Sequence, residues 1–289
     1  MADSINKEDE VIEMKKWFAV IGDPINHSKS PNMHGTWFDE MNIDAAYIPV
    51  HVKSEDLENA VASLKILGAS GWNVTIPHKQ TIIPYLDELD PLAEKMGAVN
   101  TVVHLPDGRL KGYNTDGAGF VHSLEEVIGK EKKNLEVLLI GAGGAARGIA
   151  FALQQYGYPN ISVTNRTVLK AEEIVSELGE GRALSIEEAE QSLDKFGIVI
   201  QSTSAGLGNS EFILPLSLEK LHEGAIVSDI VYNPLMTPFL LEAQMKGAKI
   251  VNGLGMFVHQ GAIAFNYWLE QYPNTNNMIK RLTDELEHS

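Results

Sequence analysis

The chain has 289 residues, 44% apolar and 21% charged, with a formal net charge of −16 and no cysteine. Length and composition fit a globular protein of two ordinary domains. The absence of cysteine excludes disulfides, thiolate catalysis and cysteine-ligated metal, and the acidic balance speaks against a nucleic-acid partner, which needs a basic face. An anionic ligand has to be held by local cations against the global field. The nine histidines include no H-E-x-x-H pair and no ligand cluster, so no metal is expected. The first residues are charged and no apolar run is long enough for a bilayer, so a soluble cytoplasmic protein with no membrane partner is expected.

In chain order, Met1 to Lys15 reads as a loose arm or an added helix. Trp17–Ile21 is the first predicted strand. It empties into Gly22-Asp23-Pro24-Ile25-Asn26-His27-Ser28-Lys29-Ser30-Pro31, a loop by every breaker signal. Pro31 opens a helix with Ser30 as expected N-cap, and Met33, Trp37 and Met41 share its buried face. Two readings of Ser28 and Ser30 stand: turn and cap formation, or two hydroxyls that bind a small carboxylate at a helix start.

A strand over Tyr47–Val52 and a helix through Leu57, Val61 and Leu64 lead to Gly71-Trp72-Asn73-Val74-Thr75-Ile76-Pro77-His78-Lys79. Alternation sends Trp72, Val74 and Ile76 to one face and Asn73 and Thr75 to the other. The two polar side chains either satisfy each other and the backbone or line a pocket for a hydroxylated ligand. Lys79 follows at the carboxyl end of the strand, where open α/β sheets hold ligands. Asp90-Pro91 caps a short helix, and Pro106-Asp107-Gly108 reads as a hairpin between Asn100–His104 and Leu110–Tyr113. Asn114-Thr115-Asp116-Gly117 opens the next helix. Taken alone, Asp116 reads as an N-cap. A first domain is expected to end here, at residue 117.

The most informative stretch is Leu135–Leu153. Val137-Leu138-Leu139-Ile140 is a buried strand, followed by Gly141, Gly143 and Gly144 and by a helix with Ala145, Ala146, Ile149, Ala150 and Leu153 on its apolar face. Strand, glycine turn and helix make a dinucleotide-binding unit of the G-x-G-x-x-A form, with a pyrophosphate on the free N–H groups of the helix start. The second strand, Ile161–Thr164, ends in Asn165-Arg166-Thr167, with Lys170 one turn on. Cations where an NAD site carries a carboxylate favour the 2′-phosphate of NADP. Further strands follow at Ile198–Ile200, Val227–Val231 and Lys249–Val251. The small-residue loop Gln201–Gly206 is suited to lie against a cofactor. A turn at Asn252–Met256 precedes a helix from about Phe257 to Leu269 with Gln260 in its first turn. A closing helix with Met278, Leu282 and Leu286 on one face is expected to pack back on the first domain.

With these residues in place, the chain resembles the AroE-type shikimate dehydrogenases over nearly its whole length beyond the arm. The resemblance rests on Ser28-Lys29-Ser30-Pro31, Asn73 to Lys79, Asn100-Thr101, Asn114 to Gly117, Gly141-Ala142-Gly143-Gly144-Ala145, Asn165-Arg166-Thr167 and Gly253-Leu254-Gly255-Met256 with Gln260. It implies an α/β protein of two domains. These are an N-terminal α/β substrate domain (1–117) and a Rossmann-type NADP-binding domain (118–253), with C-terminal helices (254–289) returning to the first. It implies reversible reduction of 3-dehydroshikimate to shikimate by NADPH in aromatic amino-acid biosynthesis. By the family pattern Lys79 and Asp116 are the catalytic pair, and Ser28, Ser30 and Tyr232 bind the substrate carboxylate. Asn73, Thr75, Asn100 and Gln260 hold the ring hydroxyls. Gly141, Ala142, Gly143, Gly144, Ala145, Asn165, Arg166, Thr167 and Lys170 bind the cofactor, and Gly253 and Met256 border its nicotinamide.

Carbonyl reduction places negative charge on an oxygen, which needs a donor within reach; Lys79 supplies charge and proton, with His78 as the rival acid. Two other readings are a quinate/shikimate dehydrogenase of broader substrate and cofactor use and a non-catalytic nucleotide sensor on the same fold. A homodimer is entertained as the assembly, on which the sequence is silent.

Overall fold

The computed structural model describes residues 15–129, 133–207 and 214–288. The arm before Lys15 lies outside them. Two six-stranded sheets follow one another along the chain. The first is built from β1 (Lys16–Gly22), β2 (Ala45–His51), β3 (Gly71–Val74), β4 (Glu88–Leu89), β5 (Thr101–His104) and β6 (Leu110–Tyr113), in the order β2-β1-β3-β5-β6-β4. β1 runs parallel to β2 and β3, while β5 returns antiparallel to β3 and forms the expected hairpin with β6.

Phe18, Ala19, Val20 and Ile21 are all buried, so β1 is covered on both faces. On one face, α2 (Leu57–Ile66) and α3 (Pro91–Met96) bring Leu57, Val61, Leu64 and Ala93 against Ala19, Ile21 and Trp72. On the other, α1 (Ser30–Glu40) brings Met33 and Trp37 against Phe18 and Val20. As the sequence predicts, the Asp90 carboxylate caps α3 by accepting from the Leu92 N–H at 3.0 Å.

The second sheet contains β7 (Val137–Ile140), β8 (Ile161–Thr164), β9 (Arg182–Leu184), β10 (Ile198–Gln201), β11 (Ile226–Asp229) and β12 (Lys249–Val251). All neighbours are parallel, in the order β9-β8-β7-β10-β11-β12, which is the doubly wound dinucleotide-binding topology. Its flanking helices include α4 (Asp116–Ile128), α5 (Gly144–Gln155), α6 (Val168–Leu178), α7 (Ile186–Gln191) and α8 (Pro238–Met245). Sequence analysis assigns neither β9 nor α7. The strand is only three residues long, but α7 begins with a Ser185–Glu188 capping box that marks it.

The chain then crosses back. α9 (Leu254–Leu269) and α10 (Thr275–Glu287) lay Val258, Ala262, Phe265, Met278 and Leu282 on the α1 face of the first sheet. Leu286 is partly buried on the same cluster. α9 starts three residues earlier than expected, so Gln260 stands in its second turn. The glycines that suggest a turn have another purpose, since a Cβ on Gly255 would come 2.1 Å from Ser123 Oγ of α4. A Cβ on Gly119 would likewise come 2.6 Å from the Gln260 backbone nitrogen. α4 and α9 therefore pack backbone to backbone, and this contact sets Asp116 beside Gln260. No helix among the described residues is long and apolar enough to cross a membrane.

Candidate active site

A cavity of about 370 Å³ opens between the carboxyl ends of the two sheets. Every side chain expected to act on substrate lines it: Ser28, Ser30, Asn73, Thr75, Lys79, Asn100, Asp116, Tyr232 and Gln260, together with Gly253 and Met256. Pro24, Ile25, His27, Ile230 and Phe257 also line it. Sequence analysis gives these no role: four are apolar, and an apolar wall has no motif, while His27 reads only as part of the loop before α1.

The Lys79 ammonium lies 2.6 Å from Asp116 Oδ2. Asp116 Oδ1 accepts from the Asn100 amide at 2.8 Å. Asp116 is the first residue of α4 and does not cap it. Asn114 Oδ1 takes the Asp116 backbone N–H at 3.0 Å, which leaves the carboxylate to Lys79 and Asn100. His78 is not in the cavity. It is fully buried, and its Nε2 bonds the Val52 carbonyl at 2.6 Å, so the rival acid points away from the site.

β3 ends at Val74, earlier than the alternation suggests. Ile76 is 72% exposed and leaves the face of Trp72 and Val74, while Thr75 still faces the cavity. Asn73 stands opposite Thr101 in the β3–β5 ladder. Its amide donates to Thr101 Oγ1 at 3.0 Å and to the Asn100 carbonyl at 3.1 Å, and its Oδ1 accepts from the Tyr47 hydroxyl at 2.7 Å. Asn100 is similarly engaged: its amide also reaches Thr115 Oγ1 at 2.9 Å, and its Oδ1 accepts from the Thr115 backbone N–H at 2.9 Å. Sequence analysis gives Tyr47, Thr101 and Thr115 no separate role, because their side-chain partners come together only in the folded sheet and the turn after it. Burial raises the Tyr47 phenol well above its ordinary value, opposed by a hydrogen bond from Ser30.

Ser30 is the first residue of α1 rather than its cap; Lys29 holds the cap position with helical angles, and no side chain caps the helix. Ser28 Oγ accepts the Ser30 backbone N–H at 3.3 Å, which leaves its own hydrogen available as a donor. Tyr232 stacks on Phe257 with ring centroids 4.9 Å apart, and burial raises its phenol pKa, so it stays a donor at neutral pH.

A second pocket of about 350 Å³ is lined by Ala142, Gly143, Asn165, Arg166, Thr167, Lys170, Thr203 and Ser204. Gly141 has φ +113°, a left-handed value that permits the turn after β7. Gly143 and Gly144 need no such freedom, and a Cβ on either would meet no atom within 4 Å. Ala145 lies in the first turn of α5. The pocket contains two cations and no carboxylate. Arg166 and Lys170 make no ion pair among the described residues. Thr203 and Ser204 fall in the small-residue loop noted in the sequence, which singles out neither.

Three family models match the chain: the shikimate dehydrogenase substrate binding domain over residues 20–102, shikimate / quinate 5-dehydrogenase over 123–214, and the shikimate 5′-dehydrogenase C-terminal domain over 253–283. The chain belongs to the shikimate dehydrogenase family. Among members of that family, a shikimate dehydrogenase (NADP(+)) of Lysinibacillus sphaericus is 67% identical over 94% of this chain and 99% of its own length. The Thermus thermophilus shikimate 5-dehydrogenase, solved with NADP(H) and shikimate, superposes with a TM-score of 0.82 at 35% identity, covering 92% of this chain and 97% of that one. A quinate dehydrogenase from Corynebacterium glutamicum, solved with NAD, superposes with a TM-score of 0.84 at 26% identity over 93% and 99%.

Proposed function

We infer that this chain is an NADP-dependent shikimate dehydrogenase, an oxidoreductase acting on a CH–OH group, which reversibly reduces 3-dehydroshikimate to shikimate. The observation that carries this reading is the contact between Lys79 and Asp116 in a cavity lined by side-chain hydroxyls and amides. A non-catalytic sensor has no use for that contact. The relatives named for shikimate and NADP support the same activity.

Ser28, Ser30 and Tyr232 offer hydroxyl donors to the substrate carboxylate. Asn73, Thr75, Asn100 and Gln260 face the ring hydroxyls, which lets the site reject a ring lacking one. Lys79 gives its proton to the oxygen as the carbonyl becomes an alcohol, and takes it back in the oxidative direction. Asp116 holds the ammonium in place.

The second pocket fits NADP. Gly143 and Gly144 are demanded by neither backbone angle nor packing, so the open approach they leave suits a pyrophosphate at the start of α5. Gly141, Ala142, Ala145, Asn165 and Thr167 shape the same cradle. Arg166 and Lys170 are cations for the 2′-phosphate. Gly253 and Met256 border the nicotinamide side. When bound, the cofactor supplies or accepts a hydride.

A substrate domain of 1–117, a nucleotide domain of 118–253 and returning helices of 254–289 belong to this reading, as does a cytoplasmic place. A homodimer is carried forward as an assembly to test by light scattering.

The decisive assay is oxidation of shikimate and of quinate, each with NADP and with NAD. Efficient turnover of shikimate with NADP is expected. Comparable turnover of quinate, or of NAD, favours the broader quinate/shikimate enzyme. No turnover alongside intact NADP binding favours the sensor.

A further inference from the structure

Asp229 ends β11 with its carboxylate fully buried and with no cation among the described residues to neutralise it. Three donors converge on it instead. Oδ1 accepts from the Val231 backbone N–H at 2.9 Å and from the Gln201 amide at 3.2 Å, and Oδ2 accepts from the Thr237 hydroxyl at 2.7 Å. Burial pushes this carboxyl up, and the three hydrogen bonds oppose the push. A buried acid is costly, so its partners indicate what it holds.

Gln201 ends β10 and leads into the next loop, while Val231 and Thr237 lie near the two ends of the connection from β11 to α8. Gln201, directly across the ladder from Asp229, also donates to the Ala205 carbonyl at 3.1 Å and accepts from the Thr203 backbone N–H. It thereby clamps the loop whose Thr203 and Ser204 line the nucleotide pocket. Val231 sits between Ile230 and Tyr232, both on the substrate cavity, and its carbonyl accepts from the Gly253 N–H at 3.0 Å. A Cβ on Gly253 would come 2.0 Å from the Ile230 oxygen, so the start of α9 is pressed onto this same turn. Thr237 fixes the start of α8 by accepting from the Leu240 N–H.

We propose that Asp229 is a positioning residue that locks the loop bordering the nucleotide pocket to the turn bordering the substrate cavity, so that the two pockets keep one relative placement for hydride transfer. The role rests on the dehydrogenase reading above. Asp229 touches neither cavity; it acts through Gln201 and Val231.

Two substitutions separate hydrogen bonding from charge. In Asp229→Asn, the carbonyl can keep Val231 and Gln201 while the amide faces Thr237 Oγ1, which can turn to accept. In Asp229→Ala all three bonds are lost. Asp229→Ala is expected to lower kcat by about 10- to 100-fold. Both KM values should stay within about three-fold, because each ligand keeps its own contacts. The primary isotope effect with shikimate deuterated at the oxidised carbon should rise, which a loss of folded protein alone would not produce. Asp229→Asn should retain most of the activity.

Independently of turnover, backbone amide NMR shifts of Thr203 and Ser204 should move together with those of Tyr232 and Gly253 in Asp229→Ala. Unmoved shifts at Thr203 and Ser204, or near-normal kcat, overturn the assignment. So does an Asp229→Asn variant as impaired as Asp229→Ala, since the role would then lie in the charge. If Asp229→Ala does not fold, Gln201→Met cuts the same link; normal kcat with unmoved Tyr232 and Gly253 amides overturns the assignment there. A wild type that oxidises no shikimate removes the dehydrogenase reading, while the amide shifts still decide whether Asp229 couples the two loops.

Discussion

Lys79 and Asp116, 37 positions apart in the chain, meet at 2.6 Å between Nζ and Oδ2. One follows the carboxyl end of β3 and the other begins α4. If this pair moves the proton, Lys79→Ala should lower kcat by about 100- to 10,000-fold, the usual worth of a positioned acid–base group. The KM for NADP should barely change, because Lys79 lies outside the nucleotide pocket. Steady-state kinetics with each substrate varied in turn check this. Near-normal turnover would remove Lys79 from the chemistry.

Arg166 should discriminate between the two nicotinamide cofactors. It shares its pocket with Lys170 and no carboxylate. A hydrogen bond to a charged group is worth about 1.5–3 kcal/mol, so Arg166→Ala should weaken NADP by about 10- to 100-fold. NAD, which has no 2′-phosphate, should be affected little. The ratio of the two kcat/KM values is the measurement, and an unchanged ratio would put the phosphate on other residues.

His34 should make stability depend on pH. Its ring is fully buried and stacked on Tyr47 at 4.3 Å, neither nitrogen has a partner among the described residues, and burial lowers its pKa to about 3. The unfolded chain binds a proton near the ordinary histidine value while the folded chain does not. Stability from this residue is therefore complete above about pH 6.5 and falls by about 1.4 kcal/mol per pH unit as pH drops toward 3. Urea unfolding of wild type and His34→Phe between pH 7 and pH 4 isolates the term, because the other titrating groups are common to both. Parallel pH curves would show that the ring is protonated in the native state.

Two glycines should respond differently to alanine. At Gly253 the new Cβ would meet the Ile230 backbone oxygen at 2.0 Å, and a backbone atom cannot step aside. At Gly148 it would meet the tip of Met96 at 2.3 Å, the far end of a flexible side chain. Gly253→Ala should cost about 1–3 kcal/mol and also depress turnover, while Gly148→Ala should cost less than about 1 kcal/mol. Thermal unfolding of the two variants decides; equal losses would mean that the α9 start yields more easily than its packing implies.

The nucleotide half was legible in the sequence because local signals and fold agree there: four consecutive apolar residues, a glycine turn, an amphipathic helix and a cation after the second strand. The substrate half was legible as a set of residues, since Ser28, Asn73, Lys79, Asn100, Asp116 and Gln260 all reach one cavity. Their local roles were less so. Asp116 reads as a helix cap until Asn114 is seen to take its N–H, and His78 competes with Lys79 until its ring is seen bonded to Val52. Gly255 reads as a turn because helix-to-helix closeness and chain reversal both call for glycine. Asp229 and Tyr47 carry no motif, since each gains its importance from a partner on another strand, Gln201 and Asn73.

The saturation of Asn73 and Asn100 has a consequence for ligand entry. A floor whose amides already have partners has little to rearrange when a ring arrives, so it is set in shape beforehand. Asn73 and Asn100 then meet the ring hydroxyls in fixed positions, while groups such as Ser28, Thr75 and Tyr232 bring hydrogens still to give. Altering any of these should change which molecules are accepted long before it changes how the chain folds.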